Sequence, residues 1–497
     1  MLFLKTKLMN QKITTQIYFW IFIMALGNLN CNNSITKYEG DILIQNINVI
    51  DAKNGLQKEM DVVVKDDKIQ MVNPHQKDFS FSGKTTIDGS GKFLIPGLWD
   101  AHVHFAYLTE LAPSMFKLFL VNGITSVRDT GGRLDLVKPW KEAAQKDPQN
   151  SPRVKIAGPL LDGVPVVYDG SGPNRPPLGT GAKNPEEGIK LVDQFSDANV
   201  DLIKAYEMLS PETFAAVAAR AKEKGLKLTG HVPLSMDVIS ASNAGLNSME
   251  HLRNLEMSIS KDADELLLKR REMLEVGKND QGGILRSRMH EAQRMHAVRN
   301  QDSLKRKEVL SVLAKNNTWQ IPTLALSTGR TNAIFARPEW RANYKYLPDS
   351  LGQQWMEASI KLAETSPDQN AKDYTKWAEE MVQHLSDANV GIMAGTDCPI
   401  FFLTPGYSLH EELILLVKSG LTPLEAINAA TLRPAQYFNL EKELGTIENG
   451  KFADLLILDE NPLDDIRNTQ KINAVFRNGK LFDRDALDEM LKDLSEK

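Results

Sequence analysis

Between Gly40 and Phe93 apolar and polar residues alternate in three short runs, DILIQNINVID, DVVVKDDKIQMV and KTTIDGSGKFL, punctuated by Gly, Asn and Asp. A period of two predicts strands. The same texture returns near the C-terminus in ADLLILDE and INAVFRNGKLF. Neither end carries enough strands for an independent domain, so the two ends are expected to pair into one small β-sandwich. Between them the pattern changes: short apolar runs alternate with amphipathic stretches, the texture of parallel βα units. Eight strands can be nominated there: Leu98–His104, Ile124–Asp129, Val154–Gly158, Asp201–Tyr206, Lys227–His231, Ser248–His251, Trp319–Leu324 and Val390–Asp397. Pro211–Lys224 reads as a helix, with Ser210 as N-cap and Pro211 in the first turn.

The pattern therefore predicts an α/β fold, a (β/α)₈ TIM barrel with its chemistry at the C-terminal strand ends. The expected division is a leader at 1–30, sandwich parts at 40–96 and 440–484, and the barrel at 97–439. Two connections exceed what a minimal barrel needs. Residues 255–316 are rich in charge at helical spacing, and 330–385 carry Trp340, Tyr344, Tyr346, Trp355 and Trp377. Each either walls the pocket as a lid or packs as solvated helices outside the barrel.

Composition and charge narrow the partners. Hydrophobic residues at 42% and charged residues at 25% describe a folded globular chain. A net charge of −5 supplies no basic field, so nucleic acid is not an expected partner. At the start, Lys5, Lys7 and Lys12 precede the apolar run IYFWIFIMAL, which is too short to span a bilayer and fits a secretory signal peptide. Cys31 follows where a bacterial lipoprotein carries its lipidated cysteine, although Asn28, Leu29 and Asn30 depart from the usual lipobox. Export is expected, with a lipid anchor at Cys31 as the sole membrane contact. Cys398 is the other cysteine, which leaves no disulfide framework.

The candidate chemistry lies at the strand ends. His102 and His104 are two residues apart on a strand, so both leave the same face, where two imidazoles can hold one metal ion. Asp100 shares that face and can support them. His231, His251 and Asp397 each end an apolar strand. Lys204 closes VDLIKAYE, where an interior lysine is costly unless neutralised, paired or modified. Carboxylated by CO₂, it becomes a carbamate able to bridge two cations; unmodified, it would form a salt bridge in the barrel mouth. Any one of these histidines alone is better read as structural, but the ordered set is not. Tyr206 follows as a substrate hydrogen-bond donor or a wall aromatic, and Arg253 as a carboxylate fork or a solvated loop residue. Arg128 and Asp129 read as a structural ion pair, and His410 as a packing residue.

IPGLWDAHVHF, GITSVRDTGG, TGHVP, SMEHL, AGTD and the tail LTPLEAINAATLRPAQYFNLEKELGTIENGKFADLLILD resemble the amidohydrolase superfamily. More narrowly, they resemble its imidazolonepropionase-related group with prolidase-like members. That resemblance, which runs from Gly40 to Phe482, implies two divalent metal ions. His102 and His104 would hold the more buried one, His231 and His251 the more exposed one, with carboxylated Lys204 between them. Asp397 would complete the buried site and serve as acid/base. Imidazolonepropionase itself is usually mononuclear and lacks the lysine, so Lys204 points to the binuclear relatives. Mixed nitrogen and oxygen ligands suit Zn²⁺ best, with Mn²⁺ or Fe²⁺ as the alternatives. The expected activity is hydrolysis of a peptide or N-acyl amino acid amide by a metal-activated hydroxide. Cyclic amides, lactones or phosphoesters are the alternative, and a non-catalytic surface binding protein a third reading. The expected partner is a small molecule or short peptide; a homo-oligomer is compatible with the sequence.

Overall fold

The computed structural model describes residues 36–172 and 175–496. The proposed leader and Cys31 lie outside the described residues. Ile42–Asp51 sits within a mixed eight-stranded sheet, antiparallel to Gly55–Lys65 and parallel to Thr85–Asp88 and Phe93–Pro96. Lys68–Pro74 closes one flank. On the other, Phe93–Pro96 pairs antiparallel with Leu455–Leu458, so that Ile95 opposes Leu456, and Ile472–Arg477 and Lys480–Phe482 follow. The two ends of the chain thus share one sheet. The cause is apolar burial: Ile44, Val62 and Leu94 from one end pack in one cluster with Leu455, Ile457 and Phe476 from the other. The alternate residues Leu43 and Val63 instead pack with Tyr38 and Phe79, from a two-stranded parallel sheet of Thr36–Glu39 and Phe79–Ser82 that the pattern does not predict.

The middle of the chain is α/β, with strands in two parallel sheets. One holds Arg153–Ile156, Ile124–Asp129 and Leu98–Val103. The other holds Gly179–Gly181, Leu160–Asp162, Leu202–Ala205, Lys227–Gly230, Ser248–Glu250 and Trp319–Ile321. Helices between strands start as their sequences require: the Ser210 side chain accepts from the Thr213 N–H at the head of Pro211–Glu223, and Asn184 does the same for Pro185–Asp197.

Seven of the nominated segments form strands, with two departures. The third strand breaks after Ile156, where Gly158 takes φ +70° and Pro159 offers no N–H. It resumes as Leu160–Asp162 and changes partner from Ile124–Asp129 to Leu202–Ala205. Val390–Asp397 is not a regular strand; within it Ile392 makes an isolated parallel bridge to Gln320, and Cys398, just past its end, makes one to Val103. Its amides are diverted: Ala394 N–H goes to the Ala429 carbonyl, and Thr396 N–H to Asp100 Oδ1 at 3.0 Å. The long insertions fold as helices, among them Ala263–Val276, Gly282–Arg299, Ser303–Asn316, Asp349–Ala363 and Gln369–Asp387. A final helix, Arg484–Ser495, returns to Ala112–Val121, where Lys117 and Asp493 pair at 2.7 Å.

Candidate metal centre

The strand ends deliver six side chains to one cavity of about 210 Å³: His102, His104, Lys204, His231, His251 and Asp397, with Tyr206 and Arg253 on its wall. All six are buried. His251 and Asp397 carry φ of +62° and +67°, a left-handed backbone that costs a non-glycine residue about 1–2 kcal/mol. Such strain persists where the surroundings over-determine it, and it clusters at functional sites.

The histidine tautomers decide what the cavity can hold. His102 Nδ1 lies 2.6 Å from Glu250 Oε2, His104 Nδ1 3.1 Å from the Gly131 carbonyl, His231 Nδ1 2.5 Å from Glu207 Oε1 and His251 Nδ1 2.7 Å from Thr323 Oγ1. Each Nδ1–H therefore donates outward, and each Nε2 keeps its lone pair. Those of His102 and His104 lie 3.1 and 3.0 Å from Asp397 Oδ1, and that of His251 3.6 Å from Asp397 Oδ2. Asp397 Oδ1, buried, accepts no aligned hydrogen bond. Lone pairs facing a carboxylate oxygen repel unless a cation stands between them, so the donor set fits a metal. His102, His251 and Asp397 offer ligand atoms all within 4.8 Å of one another, while His104, His231 and Lys204 lie around that group on the cavity wall.

Charge in the surroundings is set by burial and a few partners. Burial lowers the Lys204 ammonium to about 8, against the pull of Glu250 and Asp397. No described residue hydrogen-bonds it. Burial raises Asp100 to about 7, although it accepts from Thr396 and the His102 N–H. Arg128 does not pair with Asp129, contrary to the expectation above; it forks onto Glu250 at 2.9 and 3.0 Å. Asp129 instead accepts the N–H groups of Phe105 and Gly131. The reason is direction: along a strand, adjacent residues face opposite sides. His410 is buried, its Nε2 3.0 Å from the Asn122 carbonyl.

Residues 93–482 match the amidohydrolase family. The chain belongs to that family. It is similar to the adenine deaminase of Desulforamulus reducens, 24% identical over 459 residues, 89% of this chain and 57% of that protein. It is also similar to the N-acetylglucosamine-6-phosphate deacetylase of Lysinibacillus sphaericus, 41% identical over 237 residues, 43% of this chain and 56% of that one. The chain thus spans little more than half the length of these curated relatives. Among solved structures, an Xaa-Pro dipeptidase with bound methionine superposes with a TM-score of 0.61 at 19% identity, covering 89% of this chain and 99% of that one.

In this amidohydrolase chain, several residues around the centre escape the strand-end reading. Glu207 is fully buried and accepts from His231 and, at 2.6 Å, from His290 Nε2. Arg286 and Arg253 stand 3.1 and 3.7 Å from the same carboxylate. His290 and Arg286 come from Gly282–Arg299, so the first insertion walls the pocket. Their sequence signal is the four-residue spacing of Arg286, His290 and Arg294, which puts them on one helix face.

Proposed function

We propose that the protein is a binuclear, metal-dependent amidohydrolase that cleaves the amide bond of a short peptide or N-acyl amino acid. The observation that carries this reading is the set of inward-facing Nε2 lone pairs around Asp397, each histidine tethered through Nδ1. The fold reading goes with it: the two parallel sheets and the bridging segment before Cys398 make up a closed (β/α)₈ barrel, residues 97–439. Residues 40–96 and 440–484 make a small β-sandwich. Family membership supports metal dependence, and relatives named as deaminase, deacetylase and dipeptidase support chemistry at a carbon–nitrogen bond.

His102, His104, His231, His251, Asp397 and a carboxylated Lys204 would hold two divalent ions, with Zn²⁺ best suited to such nitrogen and oxygen donors. Bound there, the ions would supply Lewis acidity and lower the pKa of water towards neutrality. Lys204 is suited to its part because its amine is buried and has no hydrogen-bond partner among the described residues. Once it has lost its ammonium proton, the amine would add to CO₂ and release a second proton, turning a costly buried cation into an anionic carbamate ligand. Asp397 takes the proton of the attacking water and returns it to the amine nitrogen, since an amide anion is a very poor leaving group. Tyr206 and Arg253 orient the substrate's carboxylate or carbonyl oxygen. We further propose export, with the mature chain anchored through Cys31.

Elemental analysis of active protein should give close to two ions per chain. Lys204→Ala should lose the second ion and most activity, with partial recovery on adding short carboxylic acids. A panel of dipeptides, N-acyl amino acids, lactones and phosphotriesters should show turnover on the amides. A single ion in fully active enzyme, or turnover on lactones or phosphotriesters alone, overturns the assignment.

A further inference from the structure

The catalytic cavity opens into a second one of about 710 Å³, sharing Arg253, Arg286, Leu326 and Ile400 with it. The outer wall carries four guanidinium groups, from Arg253, Arg286, Arg294 and Arg330, against the one carboxylate of Glu291. The acids beneath do not balance them. Glu207 alone faces both Arg286 and Arg253. Glu256 faces Arg294 at 3.2 Å, with Arg270 also close to it. Arg330 donates to the uncharged Leu362 and Thr365 carbonyls.

These guanidiniums keep donors to spare. Arg286 faces Glu207 through Nε at 3.1 Å without an aligned hydrogen bond, and neither its terminal nitrogens nor the Arg253 side chain makes a hydrogen bond among the described residues. Arg253 lies within electrostatic reach of both Arg286 and Arg294. Partly buried guanidiniums with incomplete pairing are costly, and a carboxylate that accepts two N–H bonds relieves that cost best. Two of the four arise from the insertion helix Gly282–Arg299, so this feature belongs to the wall the insertion builds rather than to the strand ends.

We propose that the outer cavity is an anion subsite and that the enzyme selects substrates whose leaving amino acid carries a second carboxylate: N-acylated Glu or Asp, or a dipeptide ending in either. One carboxylate meets Arg253 beside Tyr206; the other meets Arg286 and Arg294. This rests on the amide-hydrolase reading of the adjoining centre.

The test uses metal-replete, full-length protein in two assays. In titration calorimetry, glutarate should bind about ten- to hundredfold tighter than its monoamide glutaramate, as expected for a charged hydrogen-bonding partner. The gap should narrow with added salt. In kinetics, kcat/KM for Ala-Glu should exceed that for Ala-Gln by a similar factor. Both ratios should fall towards one in Arg286→Gln and Arg294→Gln. They should persist in Arg288→Gln, whose exposed side chain pairs at 2.8 Å with Asp280, just ahead of the same helix. Equal binding of glutarate and glutaramate overturns the subsite, as does a preference that survives both substitutions. If Ala-Glu and Ala-Gln are cleaved equally well, the subsite fails and the amidase reading stands. If neither is cleaved while glutarate is still preferred, the amidase reading fails and the subsite stands.

Discussion

Replacing Glu207 by Gln tests how the insertion is tied to the metal centre. One fully buried carboxylate accepts from His231 at 2.5 Å and His290 at 2.6 Å, and stands 3.1 Å from Arg286 and 3.7 Å from Arg253. A glutamine of the same shape has one acceptor oxygen and an NH₂ that donates. It can satisfy one imidazole N–H but confronts the other, and it leaves two guanidiniums without a counter-charge. Removing one partner from a buried charge cluster costs about 3–5 kcal/mol, and losing the group that orients a metal-binding histidine costs about 10–100-fold in metal affinity. Denaturant unfolding of metal-free protein should therefore show Glu207→Gln destabilised by about 3 kcal/mol or more. Titration with Zn²⁺ should show the weaker-bound ion lost first, because His231 is the ligand released. A loss below about 1 kcal/mol with unchanged metal affinity would refute the idea that this carboxylate joins the insertion helix to the centre.

Three further outcomes are expected. Asp397→Asn, assayed at saturating metal, should lose about 10²–10⁴-fold in kcat with KM little changed; near-wild-type turnover with both ions retained removes Asp397 from proton transfer. Burial lowers His410 from 6.5 to about 4, so the unfolded chain takes up a proton first as pH falls. Its stabilisation, about 3 kcal/mol at ~1.4 kcal/mol per unit, is complete above pH 6.5 and is lost between 6.5 and 4. Unfolding of His410→Gln should be less steep in pH by that amount over this window, and an unchanged slope contradicts the assignment. Cys31→Ser should release the protein from membranes into the soluble exported fraction, and absence of label from a palmitate analogue in the unmutated protein would leave a plain secreted enzyme.

Local sequence fixes what depends on a residue and its near neighbours. Alternation in ILIQNINVID and the apolar runs ending at Val103, Gly230 and Glu250 place the strands, because burying one face of an extended chain demands a period of two. The same rule puts His102 and His104 on one side, and strand termini mark Lys204, His231, His251 and Asp397, all of which the structure brings to one cavity. The irregular run to Asp397 was not legible, since its amides are claimed by Ala429 and Asp100, partners far away along the chain. Nor was the pairing of Arg128 with Glu250, 122 residues apart, or that of Glu207 with His290, 83 apart. A buried charge takes whichever counter-charge packing brings within reach, and that choice belongs to the assembled fold. The arginines of the outer cavity follow the same logic. Their helical spacing is written in residues 286–294, but only the docking of that helix over the strand ends turns a charged face into a wall of the pocket.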